Sequence, residues 1–541
     1  MRVSCVQIEA HNLADAESGL QRALAMIDEA AGEGADLVVL PECSYPAYFL
    51  GGKDEYRKAA VRSWVNLEEL LGGKAREHRC HLVVGLVRPM EDDEYLSNDA
   101  VLFGPGGEVV GSTAKSFLWH FDRYWFRKGI DYPVFDTAIG RIGLMICADG
   151  RMPEIARTLA LRGAQIIVDP TALVTGGGDR SALSNPQVEY MLPVRALENG
   201  VWIVVANKVG LEADTILYCG RSCVINPGGE KVVVGSPDHE EIVSCQVRLS
   251  ERAGLPVIRR PATYGLIAAP VSGQPIGNSL REAIVPDATV ARAAVLQLRH
   301  GRSAAEYLHR VEETAGRLAQ QDVELIVLPS AMGTDLDGDD SQSAATRRAV
   351  AVLSGRLGVG LALGLTEYDG GRKYRTCFLW DSGRLVGKYR KVHQSDPGFT
   401  AGEDLAVFET RFGRVGVMLD EEGMLPEVSR CLMLMGADAI VWVALPSQWP
   451  LRILARSRAD ENKVYVALAA PIGGGSAIVS PGGSLVAAAL PDVEQAISAQ
   501  LVWVSSRYKA MAPGTHVVWD RVPQAYGALV EEEGADHSRL G

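Results

Sequence analysis

The stretch GRIGLMICADGRMPEI, residues 140–155, passes from a strand pattern into a helix pattern. Its apolar run predicts a buried strand that ends near Cys147, and Pro153 suits the first turn of a helix. A second apolar run, EGADLVVLPE at 33–42, also ends in a reactive side chain, Glu42. Sites of α/β proteins form in the crevice outside the carboxyl ends of strands. We therefore expect Glu42 and Cys147 to lie near each other.

Both stretches recur, in the same order, in the second half of the chain. The later counterparts are QDVELIVLPS (321–330) and GRVGVMLDEEGMLPEV (413–428), and even the tails RPATYGL (260–266) and VPQAYGA (522–528) agree. Self-similarity of this kind predicts a duplicated fold. Between the copies lies VSGQPIGNSLREAIVPD, whose Gly, Pro and Ser content is typical of a connector. We predict three segments: a first domain at 1–270, a linker at 271–287 and a second domain at 288–541.

The fold class follows from alternation within each copy. In the first copy, strand-like apolar runs alternate with helical stretches, which we place at 16–31, 54–77 and 153–162. Alternating strands and helices predict an α/β fold with a largely buried sheet.

Composition excludes several classes of protein. Apolar residues make up 47% of the chain and charged residues 22%, which argues against disorder and coiled coil. The net charge of -13 comes without a basic cluster, so we expect small-molecule or protein partners and no nucleic acid. We find no secretory signal and no apolar run long enough for a bilayer, and the nine cysteines are scattered. We therefore expect a soluble cytoplasmic protein with reduced thiols and no membrane contact.

Three residues could carry out nucleophilic catalysis, although each is weak evidence alone. Cys147 lies at a strand-to-helix turn, where helix N–H groups would lower its pKa. Glu42 could equally be a helix N-terminal carboxylate, and Lys115 in GSTAKSF a solvated surface lysine. Amide hydrolysis needs a nucleophile, a proton carrier and an anion stabiliser, and these residue types supply all three.

Together these segments resemble the nitrilase superfamily, over essentially the whole chain and twice. The first copy shows LVVLPE, GSTAKSFLWHFDRYWFRKG, GRIGLMICADGRMPE, RALENG and INPGG in the family's order. The resemblance implies an αββα sandwich whose subunits pair, so that one duplicated chain forms an intramolecular pseudo-dimer. It also implies Cys147 as nucleophile, Glu42 as general base, and Lys115 with the Ala148 N–H as oxyanion stabilisers. No metal and no cofactor are implied.

Two departures from the family's pattern narrow the activity. Where relatives commonly have a second glutamate, this chain has Asp122, which could hold Lys115, position substrate or form a structural ion pair. CADGRMPE is more similar to amidases and N-carbamoyl amino acid hydrolases than to nitrile hydrolysers, which tend to have Trp-Glu after the cysteine. We therefore predict hydrolysis of an amide or carbamoyl group. A nitrilase, an amide-forming acyltransferase and a non-catalytic scaffold are the alternatives.

Several residues could bind substrate. Arg151 could bind a substrate carboxylate, or instead pair with Asp149 or Glu154 at the start of the helix. Further candidates for the pocket wall are Tyr48, Trp119 and the segment PTALV (170–174), with Thr171 and Ala172, although core packing explains the aromatic residues equally well.

The second copy lacks most of the candidate site. In the alignment of the two copies, Ser330 replaces Glu42, Asp420 replaces Cys147 and Ser395 replaces Asp122, whereas Lys391 keeps the place of Lys115. A nucleophile and a base are gone, so we predict an inactive domain that serves as a built-in partner. Alternatively, the altered pocket with Lys391, Asp420 and Glu421 binds an effector or a partner protein.

Overall fold

The chain, represented by a computed structural model, is described at residues 1–59, 61–90, 95–175, 183–249, 257–281, 289–299, 304–331 and 339–531. Two compact units are present, and each contains one copy of the repeat. Unit 1 is built on the described residues up to 249, and unit 2 on those from 257 to 509.

Two sheets form the centre of unit 1. The first has the strand order Lys208–Val209, Arg2–Glu9, Leu37–Val39, His81–Pro89, Leu96–Phe103, Val109–Ala114, with Glu241–Gln246 also pairing with Arg2–Glu9. The second has the order Lys231–Val234, Cys223–Ile225, Trp202–Ala206, Ile166–Pro170, Gly140–Leu144, Val134–Thr137. The central strands of both sheets are parallel, as in the registers Val3–Leu37 and Ile142–Ile166. Glu42 follows the strand Leu37–Val39 of the first sheet, and Cys147 follows the strand Gly140–Leu144 of the second, so each lies beyond the carboxyl end of a parallel strand.

Helices cover both outer faces of the sheets. Ala16–Gly32 and Trp64–His78 pack on the first sheet, and Pro153–Leu161 and Leu192–Asn199 pack on the second. The inner faces of the sheets contact each other, for example His81–Pro89 against Ile166–Pro170. The predicted αββα sandwich is confirmed. Among the described residues, no helix has both the length and the apolar character needed to cross a membrane.

The helix predicted at 54–77 is wrong as a single element. The structure has Lys53–Lys58 and then Trp64–His78. Ala59 is extended, and the Ser63 hydroxyl accepts a hydrogen bond of 3.4 Å from the Asn66 N–H, which caps the second helix. A serine cap competes with helix continuation, and its effect outweighs the helical pattern on either side.

Unit 2 repeats this architecture. Its first sheet has the strand order Arg384–Arg390, Arg372–Asp381, Gly360–Asp369, Leu325–Val327, Val290–Gln297, Gln495–Val502. Its second sheet has the order Val407–Thr410, Gly413–Leu419, Ala439–Val443, Tyr465–Ala469, Ala477–Val479, Leu485–Ala488. Its longer helices are Ala304–Ala319, Asp340–Leu357, Pro426–Leu434 and Leu451–Asn462. The predicted α/β class and tandem arrangement are confirmed for the described residues.

The C-terminal tail of each copy packs in the unit formed by the other copy, so the two units differ from the domains predicted from the sequence. Residues 257–270, placed in the first domain by sequence, belong to unit 2, whereas Ala510–His516 and Asp520–Leu529 belong to unit 1. The tails RPATYGL and VPQAYGA are similar because they make equivalent contacts. Sequence similarity alone does not show which of the two copies each tail contacts. Of the predicted linker, 271–281 forms a turn and the helix Pro275–Arg281, and 282–287 lies outside the described residues.

Two buried ion pairs show this exchange. In unit 2, Arg259 Nε lies 2.9 Å from Glu427 Oε1. In unit 1, Arg521 Nε lies 2.9 Å from Glu154 Oε1. Glu154 and Glu427 are equivalent residues of the repeat, so each tail makes the same contact in the unit that it joins.

Candidate active site

Cys147 begins a tight turn, Cys147–Arg151, just after the strand Gly140–Leu144. Its φ of 51° lies in the left-handed region, which strains a residue other than glycine. The buried Asp149 carboxylate holds the turn by accepting hydrogen bonds from Ile146 N at 3.0 Å and Phe117 N at 2.7 Å. A strained strand-to-helix turn is a favourable place for a nucleophile.

Glu42 follows the strand Leu37–Val39 and is fully buried. Its Oε1 accepts hydrogen bonds from Lys115 Nζ and Asn98 Nδ2, each at 2.7 Å. Its Oε2 is buried without a hydrogen-bond partner among the described residues. One oxygen of Glu42 is therefore fixed by two donors, and the other is available for a proton.

Lys115, at the end of the strand Val109–Ala114, lies between two carboxylates. Its Nζ is 2.7 Å from Glu42 Oε1 and 2.7 Å from Asp122 Oδ2. Burial alone would lower the pKa of Lys115, but Asp122 and Glu42 outweigh burial and raise its pKa well above the usual value. Lys115 therefore remains an ammonium ion inside the protein.

Asp122 is held by three donors. Besides Lys115, it accepts hydrogen bonds from the Tyr48 hydroxyl at 2.9 Å and the Trp119 N–H at 2.7 Å. Burial raises its pKa, and Lys115 acts in the opposite direction. Asp122 therefore binds Lys115 directly, which is one of the roles considered for it from the sequence, and it lies in the same buried cluster as Glu42.

The thiol of Cys147 differs from the sequence-based expectation. Burial raises its pKa well above the usual value, Glu42 raises it further, and Lys115 and the Ala172 N–H act in the opposite direction. The expected lowering of this pKa is wrong, because burial outweighs the donors around the sulfur. Cys147 is a neutral thiol at rest, and it needs a base to become a nucleophile.

The residues predicted to bind substrate lie in several different environments around the charged cluster. Tyr48 and Trp119 line a cavity of about 280 Å³, together with Val174 and Ile216. Ala148 is buried in the nucleophile turn. The Thr171 hydroxyl donates to Ala206 O at 2.9 Å, so this side chain is engaged with a neighbouring strand.

Arg151 pairs with neither of its sequence neighbours. Asp149 accepts hydrogen bonds from backbone N–H groups, and Glu154 forms an ion pair with Arg521. Instead, Arg151 Nε donates to Gln187 Oε1 at 3.1 Å, and its guanidinium carbon lies 4.7 Å from the centre of the Trp119 ring. The side chain is 8% exposed, next to a residue of the cavity wall.

The equivalent region of unit 2 contains an ion cluster. Asp420 has the same left-handed φ, 50°, as Cys147. Lys391 Nζ lies 3.4 Å from Asp420 Oδ2 and 2.6 Å from Glu421 Oε2, and Arg375 lies 3.5 Å from Asp420. Burial raises the pKa of Asp420 to about 6. The strained turn is kept in unit 2, but it presents a carboxylate.

Comparison with protein families decides what the chain is. The family model for carbon–nitrogen hydrolases matches residues 2–256 and, a second time, residues 292–507. The chain belongs to the carbon–nitrogen hydrolase family. Both halves of this carbon–nitrogen hydrolase carry the family's pattern, which confirms the resemblance and the tandem duplication.

Relatives of this carbon–nitrogen hydrolase each match about half of it. A nitrilase from Pyrococcus abyssi is 32% identical over 251 residues, or 46% of this chain and 90% of the relative. Human omega-amidase NIT2 is 30% identical over 275 residues, or 48% of this chain and 94% of the relative. An amidase from Nesterenkonia sp. AN1, solved with acrylamide added at its active-site cysteine, is 26% identical, with coverage of 46% and 93% and a TM-score of 0.40.

Sequence reasoning missed three polar residues around the site of this hydrolase: Asn98, Asp169 and Gln187. Asn98 donates to Glu42, Asp169 accepts from Cys147 N at 2.6 Å, and Gln187 donates to Cys147 O at 2.7 Å. For Asp169, the sequence did contain a signal: an acidic residue within the apolar strand IIVDP, where a buried charge is rare unless it is paired or functional. Nothing local marks Asn98 or Gln187.

Metal-binding geometry occurs elsewhere in the hydrolase. Among the described residues, the one group of potential ligands close enough to share an ion is Asp28, Glu77 and His78, on the outer helices of unit 1. Lys74 Nζ lies 2.7 Å from both oxygens of Asp28. The ammonium of Lys74 thus already neutralises the main carboxylate of this group.

Proposed function

We propose that unit 1 hydrolyses a small amide or carbamoyl compound through a thioester on Cys147, with Glu42 as general base and Lys115 as oxyanion stabiliser. One observation carries the proposal: the Lys115 ammonium is bound between Glu42 and Asp122, inside the protein, and the next residue, Ser116, donates its N–H to Asp149 of the nucleophile turn at 3.1 Å. Fixed charges in a water-poor site stabilise a developing anion strongly.

In the first half-reaction, Glu42 Oε2 takes the proton from the Cys147 thiol as the sulfur attacks the carbonyl carbon. A lysine ammonium has three N–H donors, and Glu42 and Asp122 account for two of those on Lys115. The third is available to the tetrahedral oxyanion, together with the Ala148 N–H. The carbon–nitrogen bond then breaks, and the proton on Glu42 moves to the nitrogen that leaves as ammonia or amine.

In the second half-reaction, Glu42 removes a proton from water, which attacks the thioester carbonyl. The same donors stabilise the second oxyanion, and the carbon–sulfur bond breaks to release a carboxylic acid. The thiol of Cys147 recovers its proton from Glu42, and this closes the cycle without a metal ion or cofactor.

Arg151 supports a substrate that carries a carboxylate besides its amide. Its guanidinium stacks on Trp119, in the cavity wall, and no described carboxylate forms an ion pair with it. Guanidinium groups bind carboxylates well because their paired N–H groups match the two oxygens. The cavity of about 280 Å³ is connected to the charged cluster through Tyr48, whose hydroxyl donates to Asp122, and it has room for a small compound.

Unit 2, in this proposal, does not hydrolyse amides. Asp420 stands in the place of the thiol and is bound by Lys391 and Arg375, and Ser330 stands in the place of the base. An anion neutralised by two cations is a poor nucleophile, and a serine cannot accept the proton that Glu42 would take.

The test measures ammonia release by the full chain from amides that carry a carboxylate, uncharged amides, N-carbamoyl amino acids and nitriles. We expect hydrolysis of an amide or carbamoyl compound, with turnover abolished by Cys147→Ala and Glu42→Gln and unchanged by Asp420→Asn. Intact-mass spectrometry of wild type during turnover should show the acyl group on Cys147, and Glu42→Gln should show no such adduct because the thiol no longer has a base. Ammonia from nitriles alone would make the chain a nitrilase, and turnover that survives Cys147→Ala would overturn the proposal.

A further inference from the structure

Unit 2 provides an internal control for unit 1. The two copies share the left-handed turn, and Asp149 and Glu422 hold it in the same way through hydrogen bonds from Ile146 N at 3.0 Å and Leu419 N at 2.9 Å. Contacts found in both copies are those that the fold requires. Contacts present only around the intact copy are candidates for a role in catalysis.

The shared contacts include a buried arginine behind each turn. Arg195 Nε donates to Gly150 O at 3.3 Å, and its equivalent, Arg458, donates to Gly423 O at 2.9 Å. Each arginine also pairs with the glutamate that follows on the same helix, Glu198 or Glu461. These residues persist where the chemistry has gone, so they support the fold.

The two copies differ in the hydrogen bonds made by the backbone N–H and C=O of the residue at the nucleophile position. In unit 1, Asp169 Oδ1 accepts from Cys147 N at 2.6 Å, and Gln187 Nε2 donates to Cys147 O at 2.7 Å. In the alignment of the copies, Trp442 stands in the place of Asp169 and Pro450 in the place of Gln187. Trp442 Nε1 donates to Asp420 O at 2.9 Å, so a single indole occupies this side of the turn in unit 2.

We infer that Asp169 and Gln187 are positioning residues that hold the backbone of Cys147 so that its sulfur is aligned for attack, an inference that rests on the proposed function. Neither residue is required by the fold, because unit 2 builds the same turn without them. Both are buried, and burying a carboxylate and an amide is costly unless their hydrogen bonds have a purpose.

Gln187 also links the nucleophile to the candidate carboxylate-binding residue. Its Oε1 accepts from Arg151 Nε at 3.1 Å, while its amide nitrogen donates to Cys147 O. It begins a π-helical turn, Gln187–Met191, a local distortion that is common at functional sites. The equivalent helix of unit 2, Leu451–Asn462, is regular. Substrate binding at Arg151 is therefore connected through one side chain to the placement of the sulfur.

The charge of Asp169 provides a readout that a purely structural role would not give. Burial raises the pKa of Asp169 itself, but at the alkaline pH where the Cys147 thiol ionises the Asp169 carboxylate is one of the groups that raise the pKa of Cys147, after burial and Glu42. The substitution Asp169→Asn keeps an oxygen that can accept from Cys147 N but removes the negative charge. This variant should therefore keep the position of the sulfur and shift the ionisation of the thiol to lower pH.

The experiment compares Asp169→Ala, Asp169→Asn, Gln187→Ala and Gln187→Glu in the full chain. Asp169→Ala should lower kcat about tenfold or more with KM little changed, and Asp169→Asn should stay within about threefold of wild type. Gln187→Ala should lower kcat for all amides and raise KM only for amides that carry a carboxylate. Gln187→Glu loses the donor to Cys147 O and pairs a carboxylate with Arg151, so it should lower kcat for all amides and raise KM for those that carry a carboxylate. Trp442→Phe, which removes the donor to Asp420 O in unit 2, is the matched control and should change neither constant.

A second measurement needs no substrate: the rate of Cys147 alkylation by iodoacetamide as a function of pH. Asp169→Asn should move this profile to lower pH. If wild type hydrolyses no compound but the profile shifts in this way, the proposed function fails and the positioning role stands. If Asp169→Ala and Gln187→Ala keep kcat within about twofold with an unchanged profile, or if Trp442→Phe loses as much activity as they do, the inference is overturned.

Discussion

Arg521, near the end of the chain, forms a buried ion pair with Glu154, the residue after Pro153 in the helix that follows the nucleophile turn. The helix that supports the candidate nucleophile is therefore fixed by a segment that follows the second copy in the sequence. This relationship connects the stability of the site to residues that have no chemical part in the reaction.

Arg521→Ala should destabilise unit 1 by about 3–5 kcal/mol, because it removes one member of a buried ion pair with the Glu154 carboxylate. Activity should consequently be lost at a lower temperature or urea concentration than in wild type. Arg259→Ala, which breaks the equivalent pair with Glu427 in unit 2, is the matched control. It should destabilise unit 2 and leave the inactivation of unit 1 less affected. Equal inactivation by the two variants would show that the pairs do not act locally.

A fragment consisting of residues 1–270 should be inactive. It lacks Arg521 and also Thr515, whose hydroxyl oxygen accepts a hydrogen bond from His120 N at 2.9 Å and donates to Leu118 O at 3.2 Å. His120, with a φ of 46°, lies in the wall of the cavity next to Trp119. Ammonia release and sedimentation of the fragment test this expectation. A soluble, fully active monomer would also rule out the idea that the second copy is a built-in partner.

Asp122→Asn should lower kcat by about 10- to 100-fold, because it removes one of the two carboxylates that keep Lys115 charged. Burial lowers the pKa of Lys115 and Asp122 raises it most strongly, so the variant's alkaline limit of activity should move to lower pH. Ser395→Ala, at the equivalent position of unit 2, is the control and should have no effect. An unchanged pH profile in Asp122→Asn would indicate that Glu42 alone maintains the charge of Lys115.

Asp420→Asn should stabilise unit 2 above neutral pH. The pKa of Asp420 in the folded chain, about 6, is higher than its ordinary value of 3.8, mainly because of burial. The contribution of such a group is favourable below its unfolded pKa and is lost as the pH rises through the folded pKa, here between about pH 4 and 6. Urea unfolding should therefore show a gain of roughly 1–3 kcal/mol for the variant at about pH 8 and little gain at about pH 4. A variant less stable than wild type in alkaline buffer would mean that the cations Lys391 and Arg375 need the charge of Asp420.

Much of the fold, and the convergence of the candidate site, could be predicted because both depend on strand ends. Glu42 and Cys147 each follow a buried apolar strand, one in each sheet, and Lys115 directly follows the strand Val109–Ala114. The exchange of the tails could not be predicted, because identical contacts are available in either copy. The pKa of Cys147 was mispredicted because local sequence shows the helix N-terminus but not the depth of burial, which has the larger effect. Gln187 was missed because its hydrogen bonds reach across the chain to Cys147 and Arg151.

Arg151→Met should separate substrate binding from chemistry. The substitution removes the guanidinium and keeps a flexible apolar side chain that can cover Trp119. For an amide that carries a carboxylate, KM should rise by about 10-fold or more, since a charge-assisted hydrogen bond contributes about 1.5–3 kcal/mol. For the uncharged amide of the same chain length, KM should change little. The ratio of kcat/KM for the two substrates is the measurement, because an overall loss of active protein cancels in it. If both substrates lose equally, Arg151 acts on the position of Gln187 and not on the substrate, and the proposal of a carboxylate-bearing substrate loses its support.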